Sequence, residues 1–356
     1  MASRASIRVR VAAAVLVGTL AIAVAAAFSS VSAAALRRPS PSATRSTAES
    51  SRIVREHFRL DSSAHHPISP NVDNYAARTH QSSPLLLFLA ATGHRPSQYR
   101  DFLTVARDSG YHVLALDYWN TGMSVERTCA MNAACYTEVQ RNRLDGSDPT
   151  AFSSVNPANS IIGRLRDSLR HLQTVDPGGR WQQYQSGGTI DWANIVIAGH
   201  SQGGGEAAYI SHLHAVRGVL MFSSPVESDH GVQASWMSSR GATPASRMYG
   251  FDDSGDIFNA RVVASWNALG MGAFGAVANA GTAIPAGSHE IVSYRPLGTP
   301  GEAHVHNITD GVPLINGKPV FAAVWKWMLE QPYRGNGQNT HRDRTATGGS
   351  TPGRET

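Results

Sequence analysis

Short, continuous apolar runs alternate with longer segments of helical periodicity through the middle of this chain. The apolar runs cover residues 84–90, 111–117, 194–199, 218–222, 247–251 and 290–294. Apolar residues recur at helical spacing within residues 97–108, 157–173, 202–215, 258–269 and 319–330. Strands are apolar throughout when helices cover both faces of their sheet, as in parallel sheets. The sequence therefore predicts an α/β fold, with a mostly parallel sheet and helices on both faces.

The composition separates one folded domain from its flanks. Residues 34–50 are rich in Ala, Ser, Arg and Pro, residues 333–356 are rich in Gly, Thr, Asn and Arg, and neither segment has an apolar period. Such segments cannot bury enough apolar surface to fold. We expect a disordered linker and a disordered basic tail on either side of one α/β domain, residues 51–332.

The positive charge of the chain lies in these flanks. Residues 1–50 hold six Arg and one Glu, and residues 333–356 hold four Arg, one Asp and one Glu. Because the whole chain has a net charge of +5, the domain between the flanks is slightly negative. Nucleic-acid binding requires clustered positive charge on the folded surface. We therefore expect no nucleic-acid partner.

The N-terminus has the pattern of an export signal. Three arginines lie within the first ten residues, no charged residue follows until after Leu36, and Val31, Ser32 and Ala33 offer a small-residue cleavage site. This pattern predicts a signal peptide over residues 1–33 and a secreted protein. The apolar stretch is longer than most signal peptides require, so an uncleaved anchor is the alternative. Membrane contact is expected only in that case.

Cys129 and Cys135 are the two cysteines of the chain. In an exported protein an even pair of cysteines more often forms a disulfide than a metal site, which would need further ligands. We expect a structural disulfide, with two reduced thiols as the alternative. No His or Cys cluster with metal-ligand spacing stands out, and we expect neither a metal nor an organic cofactor.

A Gly-x-Ser-x-Gly motif, with Ser201 at its centre, joins a predicted strand to a predicted helix. A sharp turn at this point strains the serine backbone, and the flanking Gly199 and Gly203 allow close approach of neighbouring backbone. The motif predicts an exposed serine nucleophile at the start of the helix. The alternative is a glycine-rich turn without chemistry.

With this motif and its element order, residues 80–332 resemble the α/β-hydrolase superfamily. The resemblance implies an acid and then a histidine after Ser201, each following a later strand. Asp256 fits the acid position best, with Asp252 and Asp253 as alternatives, although an aspartate there could simply cap the next helix. His304 or His306, in a polar loop before the last helix, would be the base, and we favour His304.

The same resemblance implies two backbone N–H donors for an oxyanion. Gln202, directly after Ser201, would supply one donor, and Thr92, in the loop after the strand at 84–90, would supply the other. The alternative for Thr92 is an ordinary turn, since Ala90 and Ala91 depart from the usual sequence. Residues 119–156 and 226–242 follow strand ends and would form small lids or purely structural insertions.

These residues together predict a serine hydrolase acting on a small-molecule carboxylic ester through an acyl-enzyme on Ser201. The preference for esters rests on the chemistry of the superfamily that the chain resembles. An acyltransferase or an amidase could use the same residues. A catalytically silent, exported hydrolase fold that only binds ligands is the alternative from outside the enzymes.

Overall fold

The computed structural model describes residues 55–58, 73–79, 82–130, 132–285 and 287–342. These residues all belong to one compact unit, Glu49–Thr356. The predicted signal peptide and linker, and the end of the predicted tail beyond residue 342, lie outside the described residues. Within the part that is described, no helix is both long and apolar enough to cross a membrane.

A nine-stranded sheet forms the centre of the described structure, in the order β1-β2-β4-β3-β5-β6-β7-β9-β8. In chain order its strands are β1 Arg55–Phe58, β2 Asn74–Ala77, β3 Leu85–Leu89, β4 His112–Leu116, β5 Ile195–His200, β6 Gly218–Phe222, β7 Met248–Asp253, β8 Ala278–Asn279 and β9 Glu290–Ser293. Strand β2 is antiparallel to both β1 and β4. All other neighbours in the sheet are parallel.

Among the described residues, eight α-helices surround the sheet. They are α1 Arg100–Asp108, α2 Val125–Cys129, α3 Ala133–Asp145, α4 Ile161–Val175, α5 Gln202–Leu213, α6 Asn259–Ala268, α7 Pro300–His306 and α8 Ala322–Arg342. Three short antiparallel ribbons pair Gln185–Ser186 with Thr189–Ile190, Ser228–Asp229 with Val232–Gln233, and Leu314–Ile315 with Lys318–Pro319. Helix α8 continues past the predicted end of the domain at residue 332.

Successive side chains of a strand point to opposite faces of the sheet and so belong to two separate apolar cores. On β3, Leu85, Leu87 and Leu89 contribute to one core, while Leu86 and Phe88 contribute to the other. Helices α3, α4, α5 and α6 pack on the first side, and α1, α7 and α8 pack on the second. Because successive residues of a strand face opposite ways, a strand covered on both sides must be apolar at every position. The predicted fold class is confirmed.

The sequence prediction was wrong for several elements at the edges of this fold. It did not include β1 and β2, which are short, or helix α3, which lies inside the loop predicted for residues 119–156. The segment that carries His304 was predicted as a loop and is helix α7. Its start has a capping box, in which Thr299 accepts from the Glu302 N–H while the Glu302 side chain accepts from the Thr299 N–H.

Candidate active site

Ser201 lies in the tight turn between β5 and α5. Its backbone has φ 52° and ψ −119°, in a region that residues other than glycine rarely adopt. The Ser201 N–H donates to the Phe222 carbonyl of the neighbouring strand at 2.9 Å, which holds the turn against β6. A side chain at Gly203 would collide with the Leu89 backbone, and one at Gly199 would collide with Gly203. The glycines of the motif are therefore required by the packing of this turn.

The structure brings His304 and Asp256 to Ser201. His304 Nε2 lies 2.8 Å from Ser201 Oγ, and His304 Nδ1 lies 2.7 Å from Asp256 Oδ2. An ionised carboxylate only accepts hydrogen bonds, so His304 Nδ1 carries a proton and donates a hydrogen bond to Asp256. His304 Nε2 then faces the Ser201 hydroxyl as an acceptor. Asp256 Oδ1 accepts from the Phe258 N–H at 2.7 Å, which fixes the carboxylate.

The surroundings keep Asp256 ionised. Burial by itself opposes ionisation, but the hydrogen bond and charge of His304 outweigh it, so the pKa of Asp256 lies below its ordinary value. The neighbouring Asp252 behaves in the opposite way, because burial and the charge of Asp256 raise its pKa well above the ordinary range. One negative charge therefore resides on the carboxylate that faces His304.

The two alternative aspartates make other contacts. Asp252 accepts from the Ser223 hydroxyl and from the Asn259 amide, each at 2.9 Å. Asp253 accepts from the Gly255 N–H at 2.9 Å, within its own turn. Both side chains are buried at the end of β7, one or two residues before the chain turns toward His304. Neither side chain is hydrogen-bonded to His304, so the geometry favours Asp256.

His306, the alternative base, is not placed near Ser201. Its Nδ1 lies 3.2 Å from the Leu297 carbonyl, to which it donates. Positions i and i+2 of a helix are about 200° apart around its axis, so His304 and His306 on α7 face different sides. The helical form of this segment is thus the reason that one of the two histidines reaches Ser201.

The N–H groups of the loop after β3 differ, and most of them are engaged within the protein. Within the described residues, Thr92 N–H has no protein acceptor. The neighbouring N–H groups of the loop are engaged: Ala91 with Tyr99 Oη at 3.1 Å, Gly93 with the Asn120 carbonyl at 2.8 Å and His94 with the Ala91 carbonyl at 3.0 Å. Thr92 Oγ1 also donates to Gln202 Oε1 at 2.9 Å, which ties the loop to the residue that follows Ser201.

A buried chain of aromatic and imidazole groups connects this loop to α7. Tyr99 Oη lies 2.9 Å from His200 Nδ1 and 3.0 Å from His94 Nδ1. His200 Nε2 lies 2.9 Å from the backbone carbonyl of His304. Tyr99 and His94 were not predicted, because the contact that joins them to the site, between Tyr99 and His200, spans 101 residues of sequence. His200 is the second residue of the Gly-x-Ser-x-Gly motif, which was the available signal.

Ser201 opens into a cleft of about 290 Å³. His94, Glu126, Arg127 and His304 are among its walls. A smaller recess of about 20 Å³, bounded by Val125, Val226 and Glu227 among others, adjoins Ser201 and Gln202. A larger cavity of about 550 Å³, beside Tyr294 and Arg295, contains none of Ser201, His304 or Asp256.

One wall of the cleft is held by a disulfide. Cys129, at the end of α2, is joined to Cys135 in the first turn of α3, with a Cα–Cα distance of 5.4 Å. The predicted disulfide is therefore present. Helix α2 also carries Val125, Glu126 and Arg127, which line the cleft or the recess. The predicted lid segment 119–156 thus contributes to the site through this short helix.

A buried acid on α5 lies behind the motif. Glu206 is fully buried, and burial raises its pKa to about 8, although Arg143 Nη1 lies 3.6 Å from its Oε1. Its ordinary pKa is 4.5. At pH values between these two pKa values, Glu206 is protonated in the folded protein and ionised in the unfolded protein. The free energy of unfolding should therefore fall as the pH rises from about 5 to 8.

We expect Glu206→Gln to reduce this pH dependence, because glutamine has no proton to lose. The difference in free energy of unfolding between pH 5 and pH 8, measured by urea unfolding, should shrink by about 1–3 kcal/mol relative to the wild type. Glu138→Gln, at an exposed position of α3, is the control for removing one charge. A difference as large as that of the wild type would mean that Glu206 is already ionised at pH 5.

Among the residues that the structure describes, no group of three or more His, Cys, Asp or Glu side chains is arranged to hold a metal ion. The side chains that the structure brings together at this site are a serine hydroxyl, an imidazole and a carboxylate.

A parallel sheet covered on both faces, with a strained serine between β5 and α5, defines the α/β-hydrolase fold. No protein-family model matches the chain, and no curated protein matches it. Solved structures similar to it include three esterases. Esterase 2 from Thermogutta terrifontis is 13% identical over 80% of this chain and 95% of that chain, with a TM-score of 0.40.

The other two esterases are slightly less similar to this chain in sequence. Carboxyl esterase 2 from the fungus Tuber melanosporum is 12% identical over 80% of this chain and 89% of that chain, with a TM-score of 0.42. The esterase LipW from Mycobacterium marinum is 12% identical over 80% of this chain and 83% of that chain, with a TM-score of 0.40.

Proposed function

We propose that this protein is a serine hydrolase that cleaves carboxylic esters through an acyl-enzyme on Ser201. One observation carries the proposal: the unbroken hydrogen-bonded chain from Ser201 through His304 to Asp256, at 2.8 and 2.7 Å. A serine hydroxyl is a weak nucleophile unless a base accepts its proton, and an imidazole held by a carboxylate is such a base. The strained backbone presents this hydroxyl to the cleft.

The reaction follows from these positions. Ser201 Oγ attacks the ester carbonyl carbon while His304 Nε2 takes the hydroxyl proton, and Asp256 stabilises the imidazolium that forms. The carbonyl oxygen, now an oxyanion, accepts from the N–H groups of Thr92 and Gln202. Collapse of this intermediate breaks the bond to the alcohol, which leaves with the proton from His304. A water molecule then repeats the sequence and frees the acid and Ser201.

An ester is the substrate that these groups serve most simply, because an alkoxide leaves more readily than an amide anion and so depends less on the proton that His304 supplies. We propose a small-molecule ester as the substrate and action outside the cell. The Cys129–Cys135 disulfide supports the second point, since disulfides persist in oxidising compartments.

Labelling of the oxidised, mature protein by a fluorophosphonate, followed by peptide mapping, tests the proposal. We expect the label on Ser201, hydrolysis of p-nitrophenyl acetate by the wild type, and neither reaction with Ser201→Ala. Label on Ser201 together with acyl transfer to an added alcohol or amine, in preference to water, would make the protein an acyltransferase. A folded chain that takes no label would be a binding protein.

The recess beside Ser201 predicts a preference for short acyl groups. Its volume of about 20 Å³ suits a group the size of a water molecule or a methyl group, and Val125 and Val226 bound it. We expect kcat/KM for p-nitrophenyl acetate to exceed that for the octanoate at least 10-fold. Val226→Ala should reduce this ratio, because it removes part of the wall. An octanoate ester hydrolysed as well as the acetate would show that the acyl chain lies elsewhere.

Removing the Thr92 hydroxyl is expected to weaken the oxyanion site. Thr92→Val keeps the shape of the side chain but loses the hydrogen bond to Gln202, so the loop that bears the Thr92 N–H is no longer tied to the second donor. We expect kcat for p-nitrophenyl acetate to fall about 5- to 20-fold, with KM changed less. Thr92→Ser retains the hydroxyl and is the matched control. Equal loss in both variants would indicate a packing effect.

A further inference from the structure

The buried chain between α7 and the loop after β3 fixes the position of every proton along it. It begins at His200, whose Nε2 faces the backbone carbonyl of His304. A carbonyl can only accept, so His200 Nε2 carries a proton. Burial, together with the nearby His304 and His94, holds the pKa of His200 well below its ordinary value. His200 is therefore neutral, and its Nδ1 is a bare acceptor.

The proton position on His200 determines the proton positions on Tyr99 and His94. Its hydroxyl lies 2.9 Å from His200 Nδ1 and must donate its single proton there. Burial raises the pKa of Tyr99, so the phenol keeps that proton. The Tyr99 oxygen can then only accept from its other neighbours. It accepts from the Ala91 N–H at 3.1 Å, and His94 Nδ1, 3.0 Å away, must be the donor of the remaining contact.

His94 consequently presents a bare Nε2. Burial, and secondarily His304, lowers the pKa of His94, so the ring is neutral with its one proton on Nδ1. Within the described part of the chain no group donates to Nε2 of His94. The ring forms part of the same cleft wall as Ser201 and His304. A hydrogen-bond acceptor of fixed orientation therefore belongs to the site without taking part in the proposed transfer of protons.

Part of the remaining wall is polar in a complementary way, while Met123, Phe258 and Val305 add apolar surface. Glu126 adds a carboxylate, while Arg127 and Ser124 add donors, and Arg127 Nε lies 3.7 Å from Glu126 Oε1. A wall that both accepts and donates hydrogen bonds suits substrate groups that can also do both. Hydroxyl groups have this property, since each is one donor and two acceptors.

We propose that His94 is a specificity residue whose Nε2 accepts a hydrogen bond from a substrate hydroxyl, and that the cleft takes esters of polyhydroxylated alcohols. The proposal rests on the proposed function of Ser201, because it describes the alcohol side of the same ester. It makes His94 a binding group, and it makes Tyr99 and His200 the groups that set the direction of its proton.

The first test does not depend on activity. Imidazole ¹⁵N spectra of the labelled wild-type protein, with His94 assigned by comparison with His94→Gln, should show the His94 proton on Nδ1 and a bare Nε2. Tyr99→Phe removes the acceptor of that proton, so the signals should move toward a mixture of the two tautomers. A proton on His94 Nε2 in the wild type would overturn the proposal directly.

The second test compares 2-hydroxyethyl acetate with propyl acetate, which differ by a hydroxyl in place of a methyl group. We expect the wild type to favour the hydroxyl ester in kcat/KM by roughly 3- to 10-fold, the range of one neutral hydrogen bond. His94→Ala should lose this preference, and His94→Gln, whose side-chain oxygen can accept, should keep part of it. His306→Ala, outside the site, should retain the wild-type ratio.

The outcomes separate the two proposals. Equal turnover of both esters by the wild type, or a ratio that His94→Ala leaves unaltered, would refute the role of His94 and leave Ser201 as the nucleophile. Failure of the wild type to hydrolyse either ester and to take a fluorophosphonate label would refute the hydrolase itself. Using a ratio within each variant cancels any general loss from imperfect folding.

Discussion

Replacing His304 with alanine is expected to lower kcat for p-nitrophenyl acetate on the order of 10⁶-fold, close to the effect of Ser201→Ala. The two residues act as one unit, because the hydroxyl 2.8 Å from His304 Nε2 cannot lose its proton without that base. Stopped assays with a high enzyme concentration can measure the residual rate. Fluorophosphonate labelling of Ser201 should become undetectable on the timescale of the wild type.

His306→Ala is the matched control for this substitution. The two histidines lie two residues apart on α7, yet His306 donates to the Leu297 carbonyl and not to Ser201. We expect its kcat to stay within about 3-fold of the wild type. If His306→Ala were the inactive variant and His304→Ala the active one, the arrangement described for α7 would be wrong.

Asp256→Asn is expected to lower kcat by roughly 10⁴-fold while leaving the fold intact. An amide at this position can donate to His304 Nδ1, which favours the tautomer with its proton on Nε2. That tautomer cannot accept the proton of Ser201. The loss should be smaller than that in His304→Ala, because the imidazole is still present. Steady-state kinetics and the thermal unfolding midpoint check the two parts of this prediction.

Asp253→Asn is the control for Asp256→Asn. Asp253 is also buried, but its Oδ1 accepts from the Gly255 N–H, a contact that asparagine can keep. We expect kcat to remain within about 3-fold of the wild type. A fall in kcat of about 10⁴-fold in Asp253→Asn, with Asp256→Asn active, would show that Asp253 is the residue that supports His304.

The parts of this site that could be predicted are those encoded over a few neighbouring residues. The turn at Ser201 needs a strand, two glycines and a helix start, and all of these lie within residues 194–213. The parallel sheet could be predicted for a similar reason, since burial on both faces leaves continuous apolar runs. Strand β1 is Arg-Glu-His-Phe and strand β2 is Asn-Tyr-Ala-Ala, so neither contains a run of large apolar residues.

The choice between His304 and His306 could not be made from a predicted loop, in which either residue could turn toward Ser201. The structure settles their positions by making the segment helical. A local signal for this was present: Thr299, Pro300 and Glu302 form a capping box with proline in the first turn. The contact of Tyr99 with His200, in contrast, joins positions 101 residues apart and has no local signature.

The disulfide beside the cleft has a consequence for the maturation of the protein. The bond between Cys129 and Cys135 closes a short loop directly after the helix that carries Glu126 and Arg127. Before oxidation, this wall lacks its tether, although Ser201, Asp256 and His304 lie outside the loop that the disulfide closes. A reduced chain should therefore react with small probes while binding its substrate poorly. We expect substrate affinity to depend on formation of this disulfide, which the proposed export to an oxidising compartment would allow.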